Sequence, residues 1–299
     1  MQTAAALSFD QARDMTGGKF GAVDAPCPIC GPQRHSGANQ RRKTLRLWCE
    51  DPNFVSYHCA RCGERGWASG SSAVRSSVPA SDIPAIKAEI DRRNLDEARE
   101  RLKVAVSLWR RRVAVEGTAA EIYLRKARCY GGRLPATLGF LPASGDYAPA
   151  MIAAFGIARE TSPGDLVIDD AAIRGVHITS LKPDGGGKAG SDRDKIMIGK
   201  SVGSPIVLAA ANDGLGLAIT EGIEDALSIH EATGLGVWAA GSASRMPALA
   251  TAIPSYIDSI TVVGDADDAG RTNSQALVEA LAQGSHDVRL IFPSDRKAA

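Results

Sequence analysis

The last 80 residues carry the most regular hydrophobic pattern in the chain. "LGLAIT" is an unbroken apolar run that ends at Glu221-Gly222, and "IEDALSIHEAT" follows with helical spacing. "LGVWAAG", "SITVVGD" and "DVRLIFP" are further strand-like runs, separated by helical "MPALATAI" and "AGRTNSQALVEALAQG". Strands alternating with helices of this length predict an α/β fold, a parallel four-stranded sheet with helices on both faces, over residues 212–299.

Upstream the periodicity changes twice. Between Pro149 and Ala211, "AMIAAFGIA", "LVIDD", "GVHITSLK", "KIMIGK" and "PIVLAAA" are short apolar segments punctuated by Gly, Asp and Pro, as in a mixed sheet. Ile86, Ile90, Leu95, Ala98, Leu102, Ala105, Val106 and Trp109 recur at helical spacing, predicting one or two helices over 84–114, and "AAEIYLRKARCY" predicts a further short one. Residues 85–211 therefore form a small mixed α+β subdomain. Before it, 69–84 is a linker, part of the aperiodic stretch "ASGSSAVRSSVPASDIP". The Arg110-Arg111-Arg112 run reads as a solvated helix face or a nucleic-acid contact.

Composition narrows the options without naming one. The chain has 299 residues, 44% hydrophobic, and 35 basic against 34 acidic residues leave a net charge of +1, so any nucleic-acid contact must come from local clusters. "MQTAAALSFDQARDM" has neither a basic leader nor a long apolar core, and no apolar run is long enough to span a bilayer; the expectation is a cytoplasmic protein with no membrane partner.

In a reducing compartment, six cysteines read as metal ligands before disulfides. Cys27-Pro-Ile-Cys30 and Cys59-Ala-Arg-Cys62 are two C-x2-C knuckles 28 residues apart, the pattern of a four-cysteine structural Zn2+ site, with Gly31 and Gly63 permitting the tight turns. The β-rich residues between them make 1–68 an N-terminal zinc ribbon. Cys49 and His58 are near enough to be substitute ligands, and Cys129 is expected to be a core thiol. Arg34, His35, Arg41, Arg42, Lys43 and Arg46, with Trp48, Tyr57 and Trp67, could meet phosphates and stack on unpaired bases.

Two clusters could carry chemistry further along. "LKPDGGGKAGSDRDKIMIGK" sets Lys182, Lys188, Arg193, Lys195 and Lys200 around one flexible loop that could hold phosphates, although it does not match G-x-x-x-x-G-K-[ST]. Glu221 and Asp265 each follow a strand of the parallel sheet, where open α/β sheets place their sites, and Asp225 and Asp267 can face the same pocket. Carboxylates gathered there repel one another until a hard divalent cation, Mg2+ or Mn2+, sits among them. Asp268 is expected to cap the helix that begins near Ala269.

"TEGIEDALS", followed 44 residues after its Glu by "VVGDADDAGR", resembles the Toprim domain of bacterial-type primases, topoisomerases, OLD-family nucleases and RecR-like proteins. With the ribbon, and with "GGRLPATLGFLP", "GVHITSLKPDGGGKA" and "IMIGKSVGSPIVLA" between, the chain resembles the primases of phages, plasmids and other mobile elements. The resemblance implies short RNA primers made on single-stranded DNA from NTPs, a 3′-hydroxyl attacking an α-phosphate with Mg2+ or Mn2+ as catalytic cofactor. It implies Glu221 in proton transfer or metal binding, Asp265 and Asp267 as the D-x-D metal pair, Asp225 as the aspartate of E-G-x-x-D, Arg271 on a phosphate, and Lys195 and Lys200 on template or nucleotide. Related primases continue with further acids after the fourth strand, where this chain has Asp295, and a replicative helicase would be a separate partner. A Toprim nuclease and a non-catalytic RecR-like adaptor are the alternatives from other classes.

Overall fold

The computed structural model describes residues 7–33, 37–70, 83–191, 194–211 and 214–293, in two units, 1–97 and 98–299. Arg34, His35, Arg193, Asp295 and most of the expected linker lie outside the described residues.

In the first unit, α1 (Phe9–Thr16) starts at a reciprocal cap: Ser8 Oγ accepts the Gln11 N–H and Gln11 Oε1 accepts the Ser8 N–H. Four antiparallel strands follow in sequence order, β1 (Gly21–Pro26), β2 (Lys43–Asp51), β3 (Phe54–Cys59) and β4 (Arg65–Ser69), with the single helical turn α2 (Gly37–Gln40) before β2. Period-two alternation sends Leu45, Leu47, Val55, Tyr57 and Cys59 into a core shared with Leu7 and Ala12. Tyr57 is buried there, accepting the Leu7 N–H on its hydroxyl, so it is not a base-stacking aromatic.

One continuous helix, α3 (Ile83–Arg110), covers the region read as one or two. Ala105 and Trp109, one turn apart, are buried in the second unit. The neighbouring arginines are largely consumed by the fold. Arg112 lays its guanidinium 3.6 Å over the Trp109 ring and donates to the Trp109 carbonyl at 2.8 Å, while Arg110 pairs with Asp170 at 2.7 Å. Only Arg111 of the three projects without such a contact among the described residues.

Next come α4 (Ala119–Ile122), capped by Thr118, a π-helical turn over Tyr123–Ala127, and β5 (Leu138–Leu141), β6 (Ala150–Phe155), β7 (Arg159–Ser162), β8 (Asp165–Val167), β9 (Gly175–Ser180) and β10 (Lys195–Gly199). An antiparallel sheet runs β10-β9-β6-β5, and β7 and β8 form a separate hairpin. Strand β6 is buried on both faces: Ile152 and Ala154 meet Trp109 and Val176, whereas Met151, Ala153 and Phe155 enter the largest core. The segment read as a flexible loop after β9 is a hydrogen-bonded turn, with the Lys182 N–H on Gly187 O and the Gly185 N–H on Lys182 O, both at 2.9 Å. Cys129 is exposed, correcting its expected place in the core. The chain turns there through a left-handed φ of 56°, and Tyr130 takes the buried position instead.

The third sheet contains the four parallel strands that the pattern predicts and one more. Its members are β11 (Ile206–Ala209), β12 (Gly216–Thr220), β13 (Gly236–Ala239), β14 (Ser259–Val263) and β15 (Asp287–Ile291), ordered β11-β13-β12-β14-β15, with β11 antiparallel at one edge. Helices α5 (Ile223–Thr233) and α6 (Asp268–Leu281) take opposite faces. Ala218, Val237 and Ala239 pack with Ile223 and Leu227, while Leu217, Ile219, Trp238, Ile260 and Val262 pack with Leu277 and Leu281. Residues 246–253, read as a helix, fold mainly as the 3-10 turn Pro247–Ala252. Among the described residues no helix is long and apolar enough to cross a membrane.

Trp109 is 1% exposed and carries Arg112 on its face. Trp109→Ala should therefore destabilise the second unit by about 4 kcal/mol, read as a lowered urea midpoint; an unchanged midpoint would show that this contact is not part of the core.

Candidate metal centres

The ribbon brings its two knuckles together. Cys27 Sγ lies 3.9 Å from Cys62 Sγ and Cys30 Sγ 3.8 Å from Cys59 Sγ, and all four sulfurs fall within 4.8 Å of one another. Each knuckle is closed by a glycine amide, Gly31 N–H on Cys27 O at 2.8 Å and Gly63 N–H on Cys59 O at 3.0 Å. Burial opposes ionisation of Cys59, but the amides of Cys62 and Arg61 and the Thr44 hydroxyl bring its thiol down to about 7. Burial and the neighbouring sulfurs push Cys62 up to about 12. Four thiols this close cannot all ionise without a cation, and a compact, largely buried all-sulfur donor set fits tetrahedral Zn2+. Cys49 and His58 are not in the cluster: the Cys49 thiol faces the Asp51 carbonyl at 3.6 Å, and His58 is exposed.

The acidic residues converge at the carboxyl ends of β12 and β14, whose last residues, Thr220 and Val263, are register partners. Thr220 is fully buried and donates its hydroxyl to Gly222 O at 2.7 Å, turning the chain so that Glu221 leaves the strand end directly. Two glycines make room for the acids, one for a side chain and one for a backbone carbonyl. A Cβ on Gly222 would sit 2.7 Å from Asp225 Oδ2, and one on Gly270 would sit 2.5 Å from the Asp265 carbonyl oxygen. Asp267, not Asp268, is the cap of α6: its Oδ1 accepts the Gly270 N–H at 2.7 Å, and Asp268 is the first helical residue. Among the described residues the four cysteines are the one group whose ligand atoms close up within 4.8 Å, so the acids form a more open array than the thiols.

Electrostatics records how near they are. Burial, and after it the charges of Asp265 and Asp267, push the Glu221 carboxyl up against the opposing pull of the Ala243 N–H and Lys195. Asp225 is also pushed up, by desolvation, Asp265 and Glu224, against Lys195 and Arg128. Lys195 is thus the lysine of the predicted set that the fold brings to these acids, while Lys188 pairs with Glu224 at 3.2 Å. Lys182 and Lys200 are exposed and are not among the main influences on these carboxyls. Arg271 donates Nε to Ala266 O at 3.0 Å and lies 4.7 Å over the Phe292 ring, fixed beside the D-x-D segment.

Sequence reasoning misses a second layer of polar residues. Glu224 Oε1 accepts the Tyr123 hydroxyl at 2.6 Å, pairs with Lys188 Nζ at 3.2 Å and has Arg128 Nη2 at 4.0 Å. Arg128 Nε also donates to the Tyr123 hydroxyl at 3.0 Å. Burial would raise the Glu224 carboxyl, yet the Tyr123 hydrogen bond and the charges of Lys195 and Lys188 hold it at about 2. His177, 2% exposed on β9, is driven down to about 4 by burial, reinforced by Lys195, and is neutral. The π turn explains how the segment read as a helix does this: its wider spacing puts Tyr123 and Arg128, five apart, on one side. No residue type at those positions signals it in advance.

Residues 216–298 match the Toprim domain family, and residues 99–208 match a domain of unknown function (DUF7146). The C-terminal sheet is thus a Toprim domain. No curated protein matches the chain. Among solved structures, the primase fragment of the bacteriophage T7 primase-helicase protein is similar at 14% identity and a TM-score of 0.36, covering 90% of this chain and 88% of that one. The zinc-binding and RNA polymerase domains of Aquifex aeolicus primase are similar at 14% identity and 0.39, covering 94% and 76%. A Pseudomonas aeruginosa DNA primase domain is similar at 12% identity and 0.34, covering 53% and 49%. Likenesses of this size carry no argument about chemistry.

Repulsion at the acids has a measurable sign. Glu221 and Asp225 are raised above their ordinary values of 4.5 and 3.8, so the stability they contribute is intact below those values and is lost as pH rises through the raised ones. Asp265→Asn removes the like charge that presses on both. The variant should melt a few degrees higher than the parent at pH 7.5 without divalent cation, the gap closing below pH 4; equal melting at both pH values would mean that Asp265 does not press on its neighbours.

Proposed function

We propose that the chain is a DNA primase that makes short RNA on single-stranded DNA by nucleotidyl transfer dependent on Mg2+ or Mn2+. The observation that carries this reading is the meeting of Glu221 and Asp265 at the ends of adjacent parallel strands of a Toprim domain, where burial and then the charge of Asp265 raise the carboxyls of Glu221 and Asp225. Such a set is unfavourable alone and favourable around a hard cation. Glu221, Asp225, Asp265 and Asp267 would hold the metal, Asp267 through Oδ2 because Oδ1 is occupied by the Gly270 amide. When bound, the metal lowers the pKa of the attacking 3′-hydroxyl and balances charge on the departing pyrophosphate.

The protein's own groups do the remainder. Glu221, half-buried with its carboxyl raised by burial and its acidic neighbours, takes the proton of the 3′-hydroxyl. Lys188, Lys195 and Arg271 orient phosphates at the edge of the acids, with Lys182 and Lys200 on the flanking turn and strand end.

In the ribbon, the open face of the sheet is the better platform for unpaired bases than its basic loop alone. Trp67 and Phe54, 52% and 39% exposed, stack at 5.8 Å, and Trp48, Ser56 and Trp67 are successive register neighbours. Arg46, His58 and Arg65 form the adjacent row, although Arg46 is paired with Asp24 at 2.7 Å. Exposed Arg41, Arg42 and Lys43 adjoin this sheet at the start of β2. Aromatic stacking beside cations is the physics of sequence-tolerant single-strand binding. The setting we propose is the replication of a phage, plasmid or other mobile element in the cytoplasm, with unwinding supplied by a separate replicative helicase.

Purified protein with NTPs, Mg2+ or Mn2+ and single-stranded DNA should yield short RNA, and Glu221→Gln and Asp265→Asn should each slow synthesis about a hundredfold or more. DNA cleavage without NTPs would favour a Toprim nuclease instead, and full activity in both variants would remove these residues from the site.

Trp67→Ala should weaken single-strand binding by about 1–3 kcal/mol in fluorescence anisotropy, with little effect on folding because the ring is half exposed. Unaltered binding would place the DNA elsewhere.

A further inference from the structure

Near Glu221 in the fold lies a half-buried cation that the mechanism above does not use. Arg245 follows β13 on the 3-10 turn Ala243–Arg245. Its Nε donates to Ala240 O at 3.0 Å, and its Nη2 donates to Ser201 Oγ at 2.8 Å and to the Ser201 carbonyl. The guanidinium carbon stands 4.5 Å over the fully buried Phe155 ring. Among the described residues no carboxylate pairs with it, and burial alone depresses its pKa. An unpaired guanidinium in such a place costs free energy, so its hydrogen bonds must secure something.

What they secure is the short segment that covers Glu221. The Gly241 N–H donates to the Glu221 backbone carbonyl at 2.9 Å, and the Ala243 N–H is near enough to the Glu221 carboxylate to offset part of its charge. Arg245 binds the segment at its start, through Ala240, and at its own position, and ties both to Ser201, just past the end of β10, and to Phe155 on β6. Gly241 is pressed on the same ring, since a Cβ there would meet Phe155 at 2.8 Å.

We infer that Arg245 is a positioning residue for Glu221: by clamping residues 240–245 onto Ser201 and Phe155, it keeps the Gly241 N–H on the Glu221 backbone carbonyl and the Ala243 N–H beside the Glu221 carboxylate. The inference rests on the reading of Glu221 as part of a Mg2+ or Mn2+ site. Outer residues of this kind orient ligands without touching the ion, and their loss typically weakens metal binding by about tenfold to a hundredfold.

The test is Mn2+ binding to the full, zinc-loaded chain, followed by calorimetry or by the electron paramagnetic resonance of free Mn2+. Arg245→Lys, which keeps the charge but loses the planar fork, should weaken Mn2+ binding about tenfold. In a Glu221→Gln background the same substitution should change Mn2+ affinity no further, because the two act through one contact. A folded Arg245→Lys variant with parental affinity overturns the inference, and so does an equal loss in both backgrounds, which would mark a general structural effect. If Arg245→Lys does not fold, Ser201→Ala decides, with weaker Mn2+ binding supporting the clamp and parental affinity overturning it. Failure of the underlying reading is separate: the parent chain itself would then bind no Mn2+ that Asp265→Asn abolishes.

Discussion

Like charges held together at the ends of two neighbouring strands are the constraint around which the second unit is organised. The register of β12 against β14 brings Glu221 and Asp265 close whatever their charges prefer, because Leu217, Ile219, Ile260 and Val262 pack that register into the core. The polar detail nearby answers the repulsion. The Ala243 amide takes up part of the Glu221 charge, the Gly270 amide takes up Asp267, and Lys195 lies within the field of Glu221, Asp225 and Glu224 at once. Apolar packing provides the force, and the charged groups determine how much strain remains for a cation to relieve.

The two candidate centres solve the same problem in opposite ways. The cysteines converge until every sulfur is within reach of one ion, and that closure suits a structural metal with no open position. The acids remain spread, with individual oxygens committed to backbone amides, and an open array suits a metal that must also meet a substrate.

The candidate site residues were readable where short-range pattern and chemistry coincide. Apolar runs that stop at an acid located Glu221 and Asp265, and paired C-x2-C knuckles located the sulfur cluster, because both depend on spacing within a few residues. The ribbon's exposed aromatic face was less legible: alternation along β2 and β3 separates Trp48 from Leu47, but only the pairing across strands shows that Trp48 and Trp67 flank Ser56. Glu224, Tyr123 and Arg128 were not legible at all, since the contact that ties the group together, Tyr123 to Glu224, joins residues 101 apart in sequence. Arg245 was hidden for the same reason, its partner Ser201 being 44 residues away. The capping residue was misassigned by one position because Asp267 and Asp268 are chemically identical, and only backbone geometry separates them.

The π turn at Tyr123–Ala127 carries an implication for how this protein can vary in length. Its extra residue per turn is what lets Arg128 reach Tyr123, and through it the Toprim helix α5. At unchanged length, ordinary α-helical spacing would carry Arg128 five steps of roughly 100° and so about 140° away from Tyr123, whereas deleting one residue would leave four steps and keep the two about 40° apart, on one side. The segment should therefore tolerate the loss of one residue better than a substitution that tightens the turn to α-helical spacing without shortening it.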